Sequence, residues 1–244
     1  MARQLTARRS DWACALLDLR LHGDSPAFSP PHTVAGAAGD VVLYEQETGF
    51  HASSVLGHSF GGKVALAHVA FGHDRLAQVW VIDSTPETRE PSGSAWRLLD
   101  VVRALPLEFA SRKEAAAGIE AAGYSNAVAT WMASNLHYRD GRYSWRLDLD
   151  GAETMLRDFF ATDLWSVVDD PPLDTVLHFV KATASSVLSD EACVRIEEAG
   201  RRHGRAHLHH VAGGHWLHTD NPKALVELLA ANLPTATVSR RPRA

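Results

Sequence analysis

Val55-Leu56-Gly57-His58-Ser59-Phe60-Gly61-Gly62-Lys63 is the stretch whose reading decides the fold. It reads as strand, sharp turn and helix. Ser53 to Leu56 ends a short apolar strand, and Val64-Ala65-Leu66-Ala67 opens a helix-compatible run. Between them Gly57, Ser59 and Gly61 spell G-x-S-x-G. The reason for that spacing is steric. A serine on a strained strand-to-helix turn needs a glycine on each side, so that strand and helix can approach closely. The serine Oγ is then held out of the turn, ready to attack a carbonyl. The helix N-terminus behind it favours developing negative charge. The bland alternative is a glycine-rich turn carrying a surface serine. An acid and a histidine that follow in suitable order argue against it.

Outward from this turn, the flanking elements alternate. Residues 2–9 read as the end of a helix. Trp12 to Leu19 is an apolar run closed by a turn through Asp18–Ser25, which predicts a strand. Pro26, Pro30 and Pro31 mark a loop, and Thr33 is placed to cap a helix running to about Glu47. Val79-Trp80-Val81-Ile82 is continuously apolar, as expected of a strand buried on both faces. The order strand–helix–strand–helix–strand predicts an α/β fold with a mostly parallel sheet. From Pro86 to about Trp165 strand signal is weak, and Ser111–Ala122, Ser125–Leu136 and Ala152–Ala161 read as helices. Val176–Val180 then resumes the sheet. Glu191–Arg202 reads as a helix, Ala206–Val211 as a strand, and Pro222–Asn232 as a closing helix with proline in its first turn. Residues 1–86 and 166–244 are therefore expected to form the core, and 87–165 an inserted helical cap.

Composition removes several classes of function. The chain has 244 residues and 45% hydrophobic content, enough for one domain or one domain with an insertion. Its net charge of −5 exerts no global pull toward nucleic acid or an anionic membrane. The basic tail Ser239–Arg243 reads as a solvated end. Two cysteines, Cys14 and Cys193, cannot build a disulfide framework or, alone, a structural zinc site. Among the fourteen histidines, His207 and His209 share one face of a strand while His210 faces the other way. No carboxylate joins them at ligand spacing, so neither a metal nor another cofactor is expected. No apolar run is long enough for a membrane span. The start, Met1 to Arg9, is basic and free of acids, as in a transit peptide, but suits a surface helix equally. A soluble, intracellular protein is expected, cytoplasmic or organellar.

A serine nucleophile needs a base, and the base needs an orienting carboxylate. His215 suits the base: it follows the last strand in Val211-Ala212-Gly213-Gly214-His215-Trp216, where two glycines permit a tight loop. His218 is its competitor. Two acids are in reach of the argument. Asp83 ends the strand after the turn helix, on the same sheet edge as Ser59. Asp190 follows the next strand, but sits beside Glu191 where a helix begins. Asp83 is favoured.

With these residues in view, the chain resembles the α/β-hydrolases, and among them the capped serine esterases of the abhydrolase-domain-11-like branch. The resemblance rests on DLRLHGDS at 18–25, GHSFGGKVAL at 57–66, VWVIDSTP at 79–86, NLHYRDGRYSWRLDLDG at 135–151 and AGGHWLHTDNP at 212–222. It implies an α/β-hydrolase fold, catalytic Ser59, Asp83 and His215, and an oxyanion donor in the backbone N–H of Phe60. It also implies that Ser185 helps the acid or the histidine; an ordinary loop serine is the even alternative. The segment 87–165 would be a cap. His58, Trp131, Met132, Leu136, Trp145 and Trp216 are then candidates for the substrate pocket, and core positions are the competing reading for the cap residues. The expected activity is hydrolysis of small-molecule carboxylic esters or thioesters through an acyl-enzyme on Ser59. Its rival is an impaired or inactive hydrolase fold that acts as a small-molecule binding module. Dehalogenase chemistry is disfavoured, since it would place aspartate at position 59. The resemblance further implies that the chain begins after the strands and the His-Gly loop that normally open this fold, so an N-terminally incomplete chain is expected. One of those strands would lie between Ala13–Asp18 and Ser53–Leu56.

Overall fold

The computed structural model describes residues 1–25, 28–71, 76–172 and 174–235. Pro26 and the basic tail Ser239–Arg243 lie outside the described residues. In chain order the elements are α1 (Ala2–Arg8), α2 (Val34–Thr48), β1 (Ser54–His58), α3 (Phe60–His68), β2 (Gln78–Ile82), α4 (Gly93–Ala104), β3 (Glu108–Phe109), α5 (Arg112–Ala121), α6 (Asn126–Ala133), β4 (Leu136–Arg139), β5 (Arg142–Trp145), α7 (Leu149–Ala161), α8 (Trp165–Asp169), β6 (Val176–Ala182), α9 (Asp190–His203), β7 (Ala206–Val211), α10 (Leu217–Asp220) and α11 (Pro222–Asn232).

Four strands form one parallel sheet in the order β1-β2-β6-β7. β2 is buried at all five of its positions, which is why it reads as an unbroken apolar run. Alternate residues serve opposite faces. Val79, Val81, Leu177 and Phe179 pack with Ala65 and Leu66 of α3 and with Ala192 and Ile196 of α9. Trp80, Ile82, Val180 and Val211 pack on the other face with Leu5 of α1 and with Leu225 and Leu229 of α11. Helix ends follow local chemistry. The Thr33 hydroxyl accepts from Gly36 N–H at 2.9 Å, and α9 is capped by Ser189. Asn221 caps α11, with Pro222 at its first position.

The segment between β2 and β6 differs from the all-helical expectation. It contains α4 to α8 and a three-stranded antiparallel sheet in the order β3-β5-β4. The missed signal is Asp140-Gly141. Both residues have positive φ, 52° and 83°, and they join β4 to β5 as a two-residue hairpin. This segment has a hydrophobic cluster of its own, from Leu98 and Phe109 to Leu136. α7 turns toward the core, where Met155, Phe159 and Phe160 pack with α2 and α3 and meet Trp96 of α4, while Trp165, Val167 and Val168 of α8 pack with β2, β6 and α9.

Trp12–Leu19 also departs from expectation: it forms no strand. A strand needs a ladder partner, and among the described residues β1 pairs only with β2. Leu16 is 80% exposed, and Trp12 packs instead beside α11, donating Nε1–H to Pro234 O. A cleft of about 860 Å³ runs between residues 11–19 and β1. The Asp18–Ser25 turn is nevertheless firmly held. Arg20 is buried; its Nε and Nη2 donate to the two oxygens of Asp40 at 2.7 and 2.8 Å. Its remaining bonds go to the carbonyls of Pro31 and Gly36. Among the described residues no helix is long and apolar enough to cross a membrane.

Removing the cation would strand the mostly buried Asp40 carboxylate and two carbonyls. Arg20→Met is therefore expected to lower unfolding stability by about 3–5 kcal/mol, read from urea denaturation midpoints. A loss under about 1 kcal/mol would show that water replaces the guanidinium freely.

Candidate active site

The turn between β1 and α3 is built on two close approaches. A Cβ on Gly57 would fall 1.9 Å from the carbonyl oxygen of Gly61, and one on Gly62 2.7 Å from Ser84 Cβ. A Cβ on Gly61 would meet open space. The glycines required by sterics are thus Gly57 and Gly62, although the motif is written with Gly57 and Gly61. Ser59 between them has φ 54° and ψ −120°, a sparsely populated conformation that costs about 1–3 kcal/mol. Its N–H donates to Ile82 O at 3.0 Å, which ties the turn to the end of β2.

Asp83 follows β2 directly and is fully buried. It too has positive φ, 42°. Its N–H donates to Val180 O at 2.7 Å, and its Oδ1 accepts from Ala182 N–H at 3.0 Å. Oδ2 meets His215 Nδ1 at 2.7 Å, and His215 Nε2 lies 3.0 Å from Ser59 Oγ. The carboxylate accepts from Nδ1–H, which leaves the Nε2 lone pair facing the serine hydroxyl. That is the arrangement in which an imidazole can take the hydroxyl proton. Asp190 lies in the first turn of α9 with its side chain 95% exposed, 3.9 Å from Lys181 Nζ. The Ser185 hydroxyl accepts from Val187 N–H within its own turn. The two Asp83 oxygens are engaged by Ala182 and His215.

His215 sits in the loop between β7 and α10. Gly214 N–H donates to Asp220 Oδ2 at 2.8 Å and fixes the approach of that loop. The backbone of His215 is held as well: its carbonyl accepts from His58 Nε2 at 2.6 Å. Burial first, then the nearby His215, pushes the His58 pKa down to about 4, so its ring stays neutral near pH 7 and donates from Nε2. His218 packs edge-on to His58 with centroids 5.2 Å apart, and burial lowers its pKa too. It lines a cavity wall beside His58 and is not the histidine that meets Ser59. Phe60 is the first residue of α3, where helix N–H groups have no intrahelical acceptor.

His58, Trp131, Trp216 and His218 line a cavity of about 370 Å³ together with Met1, Leu56, Ile82 and Leu225; it adjoins the turn through His58, and Ser59, Asp83 and His215 are not among its lining residues. Trp131 of α6 reaches Trp216 at 5.2 Å, so the segment 87–165 meets the histidine loop through two indoles. Met132 and Leu136 do not line this cavity; both are buried in the cluster of their own segment. Trp145 joins that cluster edge-on to Phe109. On α6 the buried residues are Val128, Ala129, Met132 and Ala133, so Met132 faces the cluster of its own segment while the half-exposed Trp131 faces away from it. Lys63 has no role in the G-x-S-x-G motif that it adjoins. Its signal was a lysine inside an otherwise apolar helical run. Among the described residues no group of three or more His, Cys, Asp or Glu is arranged to hold a metal ion.

Residues 1–228 match the model of a family described as "Alpha/beta hydrolase family". The chain is similar to the sn-1-specific diacylglycerol lipase ABHD11 of Mus musculus, 24% identical over 227 residues, covering 89% of this chain and 70% of the relative. The Danio rerio protein of the same name is 22% identical over 216 residues, covering 84% and 64%. The chain thus spans about two thirds of the length of these relatives. Among solved structures, a marine microorganism esterase superposes with TM-score 0.76 at 22% identity, covering 88% of this chain and 83% of that one. A Mycobacterium tuberculosis esterase superposes at 0.63 with 24% identity, covering 88% and 72%. These likenesses bear on the fold.

The neutral His58 has a consequence for stability. Its folded pKa lies below the unfolded value near 6.5, so the unfolded chain binds a proton that the folded one refuses. The His58 contribution is intact above about pH 6.5 and is lost as pH falls toward 4. The melting temperature is expected to drop across that window. His58→Asn, which keeps an N–H donor but cannot titrate, is expected to flatten the drop; equal slopes would assign it to other groups.

Proposed function

The chain belongs to the alpha/beta hydrolase family, and from that premise we propose that it is a serine hydrolase of carboxylic esters or thioesters. The observation that carries the reading is the run of contacts from Asp83 Oδ2 to His215 Nδ1, 2.7 Å, and from His215 Nε2 to Ser59 Oγ, 3.0 Å. In this reading Ser59 Oγ attacks the carbonyl carbon as His215 Nε2 takes the hydroxyl proton. The Phe60 N–H stabilises the oxyanion. His215 returns the proton to the departing alkoxide or thiolate, which leaves an acyl-enzyme. Water, deprotonated by His215, then releases the acid and restores Ser59. Asp83 keeps the imidazole in the required tautomer throughout.

The segment 87–165 acts as a cap. Its Trp131, facing Trp216, supplies the apolar wall against which an acyl chain is held. The mouse and zebrafish relatives carry the name diacylglycerol lipase, which makes an acylglycerol the first natural ester to try.

Fluorophosphonate labelling and p-nitrophenyl ester turnover test the reading together. Both are expected in the wild type and both are expected to be abolished in Ser59→Ala. Asp83→Asn is expected to lower turnover by about 10⁴-fold, and Asp190→Asn to leave it nearly unchanged. Turnover that survives Ser59→Ala would remove the nucleophile. A folded wild type that neither labels nor turns over would favour a binding module.

A further inference from the structure

Lys63 is fully buried on α3, one turn after Ser59. An ammonium taken out of water is costly unless its donors are met. Its Nζ donates to the carbonyl of Glu87 at 2.9 Å and to that of Phe159 at 2.5 Å, and it lies 4.6 Å from the centre of the Phe159 ring. Those two carbonyls belong to opposite ends of one excursion. Glu87 lies where the chain leaves the sheet after Asp83, and Phe159 in the last turns of α7, where it comes back. Backbone bonds tie the same two crossings to each other: Arg89 N–H to Phe160 O at 2.9 Å, and Leu164 N–H to Pro86 O at 2.8 Å. One ammonium thus holds both ends of the segment 87–165 against the helix that carries the serine.

The contacts continue to the reacting centre. The Phe159 ring packs on Phe60 with centroids 6.2 Å apart, and the backbone N–H of Phe60 is the proposed oxyanion donor. A side chain such as methionine would fill the space of Lys63 without the cost of burying charge, so packing alone does not account for a lysine here. We propose that Lys63 is a positioning residue that locks the crossings of the 87–165 segment to the nucleophile helix and so holds the Phe60 N–H and the cap wall in their working geometry. The proposal rests on the serine hydrolase reading for its catalytic part. The charged groups around the ammonium are Arg89, Asp163, Glu87 and Asp158. Burial first, then Arg89, lowers its pKa to about 8, so mildly alkaline solution discharges it and weakens both bonds.

The test compares wild type, Lys63→Met and Lys63→Arg in p-nitrophenyl ester kinetics from pH 6.5 to 9.5, with hydrogen exchange measured on peptides covering 84–92 and 156–166. For Lys63→Met the expected result is a kcat lower by about 10- to 100-fold with KM changed less than about threefold. The wild-type decline in kcat near pH 8 is expected to be absent from Lys63→Met, and exchange at both crossings to rise. Lys63→Arg, which keeps charge and donors, is expected to recover most of kcat. Should Lys63→Met fail to fold, Lys63→Gln, which can donate to one of the carbonyls, takes its place with the same expected direction. A folded variant with wild-type kcat, the same alkaline decline and unchanged exchange overturns the proposal. If the wild type itself shows no Ser59-dependent turnover, the hydrolase reading fails, and exchange at the crossings still decides the clamp.

Discussion

The arrangement depends on the contact between β1 and α3, where the chain reverses with no room for a side chain at Gly57. That contact holds Ser59 in a conformation an L-residue avoids, and the bond from its N–H to Ile82 O keeps it there. The strain is tolerable because β1 and α3 are each held independently. β1 is held by its ladder to β2, and α3 by the buried cluster of Ala65, Leu66 and Val69. The geometry at Ser59 is therefore stored in the sheet rather than in the serine.

The end of β2 is the second junction. Within six residues it supplies Ile82 O to the turn, Asp83 to His215, the Pro86 carbonyl to Leu164 and the Glu87 carbonyl to Lys63. The same short run orients the imidazole and launches the segment that walls the adjoining cavity. A shift there would move the Asp83 oxygens, the His215 ring and the entrance to α4 together. His58 adds an independent hold on the far side of the loop, through the His215 carbonyl.

Much of this was legible in the sequence because local chemistry and long-range packing agree. The unbroken run Val79–Ile82 marked a strand covered on both faces, and Thr33 and Pro222 marked helix starts that the structure has at those positions. Ser59, Asp83 and His215 could be named from chain order, and the structure brings them within hydrogen-bond reach. Asp83, favoured over Asp190 from its place at a strand end, is buried and bonded to His215, whereas Asp190 lies exposed at the start of α9. The misreadings have distinct causes. Trp12–Leu19 is apolar enough for a strand, but strand formation is decided by a neighbour, not by composition. β4 and β5 were hidden among alanine-rich helices, although Asp140-Gly141 was a usable turn signal. Gly62 had the same motif letter as Gly61, and only the distance to Ser84 shows which of the two is sterically required. Met132 and Leu136 could not be sorted from Trp131 without the direction each faces.

The central claim is that Ser59 carries the acyl group during turnover. It is tested most directly by intact-protein mass spectrometry after rapid mixing with a slowly hydrolysed p-nitrophenyl ester, followed by peptide mapping. The account predicts a transient mass increase equal to one acyl group in place of one hydrogen, on the peptide containing Ser59, at the rate of the p-nitrophenol burst. Turnover with no adduct, or an adduct confined to another residue, would contradict it.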